Sequence, residues 1–216
     1  MKIYLAIIFI AIGIMCQKLS AQEKPETLID FSSIKTIGIY VSPEYQLGQL
    51  SGGFTNFASG SIMITINKRI AFGGTFLRSI SENYSPTNVS PLLVRSEFIG
   101  GKIEYTINPD NLIHFSFPVV AGVSRVSLDS ANLEDDMWDY NDHYFKNRSL
   151  KQNNLLILQA GANAEVNLIK YAKFYIGTNY RYSTIIGNDV KVLENNINQG
   201  LSFSVGIKLG LFDFSI

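Results

Sequence analysis

The densest set of reactive side chains in this sequence is a single stretch holding Glu134, Asp135, Asp136, Trp138, Asp139, Tyr140, Asp142, His143 and Tyr144. Oxygen ligands in that number could take a calcium ion, but the spacing of a helix-loop-helix calcium site and its central glycine are absent. The expectation is a solvated acidic loop with no bound metal. Its aromatic residues are the types that anchor interfaces, which makes it the candidate loop interaction site for an unknown extracellular partner. The chain has two histidines, His114 and His143. Asp142 adjoins His143, but adjacent residues do not by themselves hold triad geometry. No phosphate loop, nucleotide fingerprint or Cys/His metal spacing accompanies them. A non-enzymatic protein with no cofactor is therefore expected.

A second set, Lys102, Glu104, Glu165, Arg181 and Lys208, is scattered along the chain but shares one feature. Each sits on the polar phase of a segment whose residues alternate polar and apolar. The clearest segment sets Leu201, Phe203, Val205, Ile207, Leu209 and Leu211 against Ser202, Ser204, Gly206, Lys208 and Gly210. Period-2 alternation describes a strand with one apolar and one polar face. It recurs around Ile37 to Val41, Ile62 to Ile66, Ile99 to Ile107, Ile113 to Val123, Leu156 to Leu168 and Phe174 to Tyr182, with a strand of less certain phase over residues 70 to 80. Eight strands result. Pro118 interrupts the fifth as an internal irregularity.

The connections alternate in length. Residues 67 to 69, 108 to 111 and 169 to 173 read as tight turns, whereas 43 to 56, 81 to 94, 126 to 153 and 187 to 198 read as long loops. Short turns at one end and long loops at the other are the layout of an outer-membrane barrel, so the expected fold is an all-β, eight-stranded, antiparallel up-and-down transmembrane β-barrel. In that arrangement the five charged residues form a lumenal charge network of mixed sign, since buried charges must pair or be hydrated. Tyr171, Phe174 and Tyr175 near the turn end and Tyr180 and Tyr182 toward the loop end are candidates for two interfacial aromatic girdles. A soluble periplasmic lipocalin-like binding barrel, with the apolar phase inside, is the alternative.

The first 21 residues, with Lys2, an apolar run from Ile3 to Met15 and Leu19-Ser20-Ala21, read as a secretory signal. A lipoprotein reading of Cys16 is disfavoured by Met15, where the attachment box needs a small residue. The expected organisation is a signal over 1–21, a periplasmic linker over 22–32 and a barrel over 33–216. Removing the signal takes away the only cysteine along with Lys2 and Lys18, leaving 16 basic and 18 acidic residues. A charge of −2 without a basic block argues against nucleic acid as partner. The expected partners are outer-membrane lipid and, during biogenesis, the barrel-assembly machinery. Asn-X-Ser matches at Asn83, Asn88 and Asn147 read as chance in a bacterial chain.

The eight alternating segments, the loop pattern and the terminal Leu211-Phe212-Asp213-Phe214-Ser215-Ile216 resemble the outer-membrane β-barrel domain proteins, the group that contains OmpA, OmpX and OmpW-like barrels. Ala164-Glu165-Val166-Asn167-Leu168, Asn179-Tyr180-Arg181-Tyr182 and Gly206-Ile207-Lys208-Leu209-Gly210 look like an uncharacterised subfamily of such barrels. The resemblance implies a fold and the cell outer membrane as location. It transfers no catalytic residues, because fold does not fix function. Two roles remain open: a structural or surface-interaction role through the long loops, or a narrow channel or small-solute transporter using the charged lumen.

Overall fold

A computed structural model describes residues 34–50, 52–81, 84–85, 92–130, 149–186 and 197–215. The signal over 1–21, the linker over 22–32 and the acidic stretch over 134–144 lie outside the described residues. Eight strands make the fold: β1 (Thr36–Leu50), β2 (Gly53–Ile66), β3 (Ile70–Ser79), β4 (Leu92–Ile107), β5 (Ile113–Ser130), β6 (Ser149–Ile169), β7 (Ala172–Ile186) and β8 (Gly200–Ser215). A two-residue piece, Tyr84–Ser85, pairs with the start of β4. Each strand pairs antiparallel with the next in the chain, and β8 returns to β1 through Tyr45↔Val205 and its neighbours. The barrel is closed, so no strand edge is left to seek a partner.

The pairing also has a stagger. A path around the wall from Ile37 runs through Ile66, Ile70, Tyr105, Phe117, Ala162, Thr178 and Phe203, reading the interrupted pairing at Phe117 through its neighbours. It arrives at Leu47, ten residues (47 − 37) further along β1. Such a shear tilts the strands and sets an interior just wide enough for side chains to fill. Pro118 has no N–H to give, and it sits where the β5–β6 ladder is broken between Ser116↔Asn163 and Val119↔Ala160.

The tight turns lie together at one end. Asn67 and Lys68 both take positive φ, 50° and 59°, and Arg69 N–H donates to the Ile66 carbonyl at 3.0 Å, which makes a primed hairpin turn. Asn67 Oδ1 also accepts from the N–H groups of Lys35 (2.8 Å) and Thr36 (3.2 Å), tying the entry of β1 to this turn. Lys68 reaches Asp110 at 2.9 Å and Asp213 at 3.0 Å, joining two turns and the end of β8. The hydrogen bonds it donates to Asp110 and then Asp213 hold its ammonium above the ordinary lysine range.

The apolar phase faces outward, with Ile62, Ile99 and Ile103 each more than 60% exposed. The outward apolar run lasts from Ile99 to Ile107 in β4 and from Ile113 to Val123 in β5, nine and eleven residues. That is the length of tilted strand a bilayer's hydrocarbon core requires. Above it the outward row turns polar at Arg78, Glu97, Arg125 and Asn154, which are consecutive cross-strand partners. A soluble barrel with its apolar phase inside is excluded by this orientation, because water would face a continuous apolar belt.

Two expectations need correction. Residues 43 to 50 and 53 to 56 continue β1 and β2 instead of forming a loop, and β5 and β6 extend to Ser130 and back to Ser149. Pro43 is compatible with strand because the φ it fixes is tolerated there, and the polar residues beyond it were mistaken for loop composition. Tyr175 is fully buried and points inward, so it belongs to no girdle. Tyr171, Phe174, Tyr180 and Tyr182 are exposed on the outside.

Candidate functional site

The polar phase converges in the lumen, in three layers. Nearest the tight turns, Lys208 on β8 is fully enclosed. Its Nζ donates to Glu104 Oε1 on β4 and to Glu165 Oε1 on β6, at 2.5 Å each. The register explains the meeting of distant residues: Lys208 pairs with Lys173 across the β7–β8 ladder while Glu165 pairs with Tyr175 and His114, so closure brings three strands' polar phases to one level. Tyr40 OH donates to Glu104 Oε1 at 3.0 Å. The ammonium also lies 5.5 Å from the ring centres of Tyr40 and Tyr175, a favourable arrangement for a desolvated cation. Lys173, itself buried, sits 4.7 Å over the Phe212 ring.

His114 completes this layer. Its Nδ1 lies 3.1 Å from the Asn111 carbonyl and its Nε2 lies 3.2 Å from Glu165 Oε2. Both neighbours are acceptors, so the tautomer decides which of the two ring nitrogens donates. Glu104 Oε2 is buried and has no hydrogen-bond partner among the described residues.

The middle layer is built around Arg181 on β7. Its Nε donates to Gln159 Oε1 (3.0 Å), one terminal nitrogen to Asn198 Oδ1 (2.8 Å) and the other to Gln46 Oε1 (2.9 Å). Its guanidinium also stacks 4.9 Å from the Phe57 ring centre. All three acceptors are neutral amides. Asn198 continues the network to Ser96 Oγ at 3.0 Å, and Ser96 to Ser124 at 3.1 Å. Glu44 on β1 accepts from Tyr175 OH at 2.5 Å and from Gln46 Nε2. Lys102 on β4 is buried at this level, and no hydrogen bond or ion pair reaches it from the described residues.

Toward the loop end the lumen turns apolar. Leu50, Phe57, Val94, Val126, Leu155 and Ile157 pack into one cluster, each at most 2% exposed. A cavity between Lys102 and Arg181 has a volume of about 20 Å³, room for one or a very few waters. An ionic layer, an amide layer and an apolar plug therefore fill the cylinder.

Of the residues singled out in sequence, the structure brings Glu104, Glu165 and Lys208 into one ionic contact, and places Arg181 and Lys102 in the layer above. Glu134, Asp135, Asp136, Trp138, Asp139, Tyr140, Asp142, His143 and Tyr144 lie outside the described residues. Sequence reasoning missed Tyr40, Glu44, Gln46, Lys173 and Tyr175 as lumenal partners. Tyr40, Glu44 and Gln46 continue the polar phase opposite Ile37, Ile39 and Val41, and that phase was the available signal once Pro43 is allowed in a strand.

Among solved structures, the outer membrane protein OprG from Pseudomonas aeruginosa is similar at 9% identity, covering 82% of this chain and 97% of that one, with a TM-score of 0.48. Neisserial surface protein A is similar at 13% identity over 80% and 96% of the two chains, with a TM-score of 0.47. The N-terminal β-barrel domain of Pseudomonas aeruginosa OprF is similar at 9% identity over 81% and 97%, with a TM-score of 0.45. No family model matches the chain, and no curated protein matches it. Closure through eight antiparallel strands, an apolar belt of bilayer height outside and a charged, filled lumen inside make the architecture that of an outer-membrane β-barrel.

Proposed function

We propose that this protein is a closed, non-enzymatic outer-membrane barrel whose lumen is a structural brace and whose work is done at the loop end, in envelope structure or in contact with an extracellular partner. The observation that carries this reading is the filling of the lumen. Lys208, Glu104 and Glu165 seal one level, and the apolar cluster around Phe57 and Leu155 seals another. Solute passage would have to break both, and a barrel of this strand number has no spare width. The strands outrun the bilayer on the loop side, since β6 has 21 residues where about 9–11 suffice to span. They raise a rim above the lipid from which loops can reach a partner.

The test is conductance of the purified chain in a planar bilayer. The brace reading predicts no discrete single-channel events above the lipid background. Steps of reproducible size that vanish in Arg181→Ala would favour the narrow channel, with the lumenal charges exchanging partners as a gate.

A further inference from the structure

The lumenal charges do not balance. Facing inward among the described residues are three carboxylates, Glu44, Glu104 and Glu165, against four cations, Lys102, Lys173, Arg181 and Lys208. The excess falls in the middle layer. Lys208 is shared by two carboxylates, whereas Arg181 contacts amides and, among the described residues, Lys102 contacts no anion.

Lys102 and Arg181 lie on one cross-strand row, Lys102↔Val120↔Gln159↔Arg181, so they approach the small lumenal cavity from walls three strands apart. Both line it, together with Gln46, Thr75, Asn179 and Asn198. Glu44 also lines it and offsets one of the two cations; its oxygens accept only from the neutral Tyr175 and Gln46, so one positive charge of the pair is left over. Lys102 is 5% exposed, with the ionic layer on one side and the apolar plug on the other. An ammonium held there without a counter-charge is costly, because the hydration it loses is not replaced.

We propose that this cavity binds one small monovalent anion of chloride's class, held by Lys102 with Arg181 and the surrounding amide and hydroxyl donors. The size points to the class: room for one or a very few waters suits a halide better than phosphate or an organic acid. The donors fit it too: Lys102 has three N–H groups with no partner among the described residues, Arg181 keeps two of its five, and the Asn179 and Asn198 amides each have one N–H beyond the one they give to Ser204 and Ser96. The bound ion cancels the excess charge and stiffens the brace.

The inference rests on the lumen alone, so it can fail while the loop-end reading stands, and the reverse. The test is crystallographic, on the full chain folded in detergent and crystallised in bromide, with data collected at the bromine absorption edge. The expected result is one anomalous peak in the lumen in contact with Lys102 Nζ, lost in Lys102→Met. Absence of a lumenal peak in the unsubstituted protein overturns the proposal, and so does a peak that persists in Lys102→Met. Should that variant not fold, Lys102→Gln is read in the same way, and the map of the unsubstituted protein is decisive in its own right.

Discussion

Lys208 shows how much a single lumenal side chain can hold. It is the cation common to Glu104 and Glu165, and removing it leaves two carboxylates enclosed with no charge between them. Breaking one side of a buried pair costs about 3–5 kcal/mol. Lys208→Met is expected to lose that much stability in urea titrations of the chain folded into lipid vesicles. Arg78→Ala, which removes the half-exposed Arg78–Glu97 pair at 3.4 Å, is expected to lose less than about 1 kcal/mol in the same assay. Equal losses would mean that the ionic layer is no more enclosed than the surface. Gly206 carries a second expectation. A Cβ there would lie 2.5 Å from the Tyr175 ring and hydroxyl, the residue paired with it across β7 and β8. Gly206→Ala should push Tyr175 off Glu44 and cost about 1–3 kcal/mol. In a Tyr175→Ala background most of that cost should vanish, and a full additive loss would refute the contact.

At the scale of the strand, alternation in the sequence was enough to separate an inside from an outside. The side of the wall on which Lys102, Glu104, Glu165, Arg181 and Lys208 stand follows from the same period-2 pattern as the apolar belt. Their partners do not, because the meeting of Lys208 with Glu104 depends on closure and stagger, which no single segment carries. Tyr175 was misread for a related reason: next to Phe174 it looks like one end of an aromatic girdle, and tyrosine suits either face. The long connections were overestimated because strand above the bilayer is polar on both faces and resembles a loop. The belt itself predicts a depth profile. Ile103→Arg, in the middle of the outward apolar run, should cost about 2–4 kcal/mol, while Asn154→Arg, in the polar row above, should cost about 0–1 kcal/mol. Folding free energies in vesicles check both, and a flat profile would mean that the belt does not face hydrocarbon.

In the whole molecule, an apolar exterior encloses a lumen that carries charge yet is filled. The two support each other, since a wall facing lipid can keep its polar phase only inside, and a narrow interior must then satisfy those groups internally. The consequence is a filled cylinder, with an apolar belt around its middle and polar strand ends beyond that belt on the loop side. The most direct measurement of this claim is depth-dependent quenching of a fluorophore attached at single cysteines replacing Ile103 and Arg95, with the chain folded into vesicles. The expected result is that the label at 103 is quenched by a quencher carried near the bilayer centre and is protected from aqueous iodide, while the label at 95 shows the opposite. A label at 103 that iodide reaches and the lipid-borne quencher does not would contradict it.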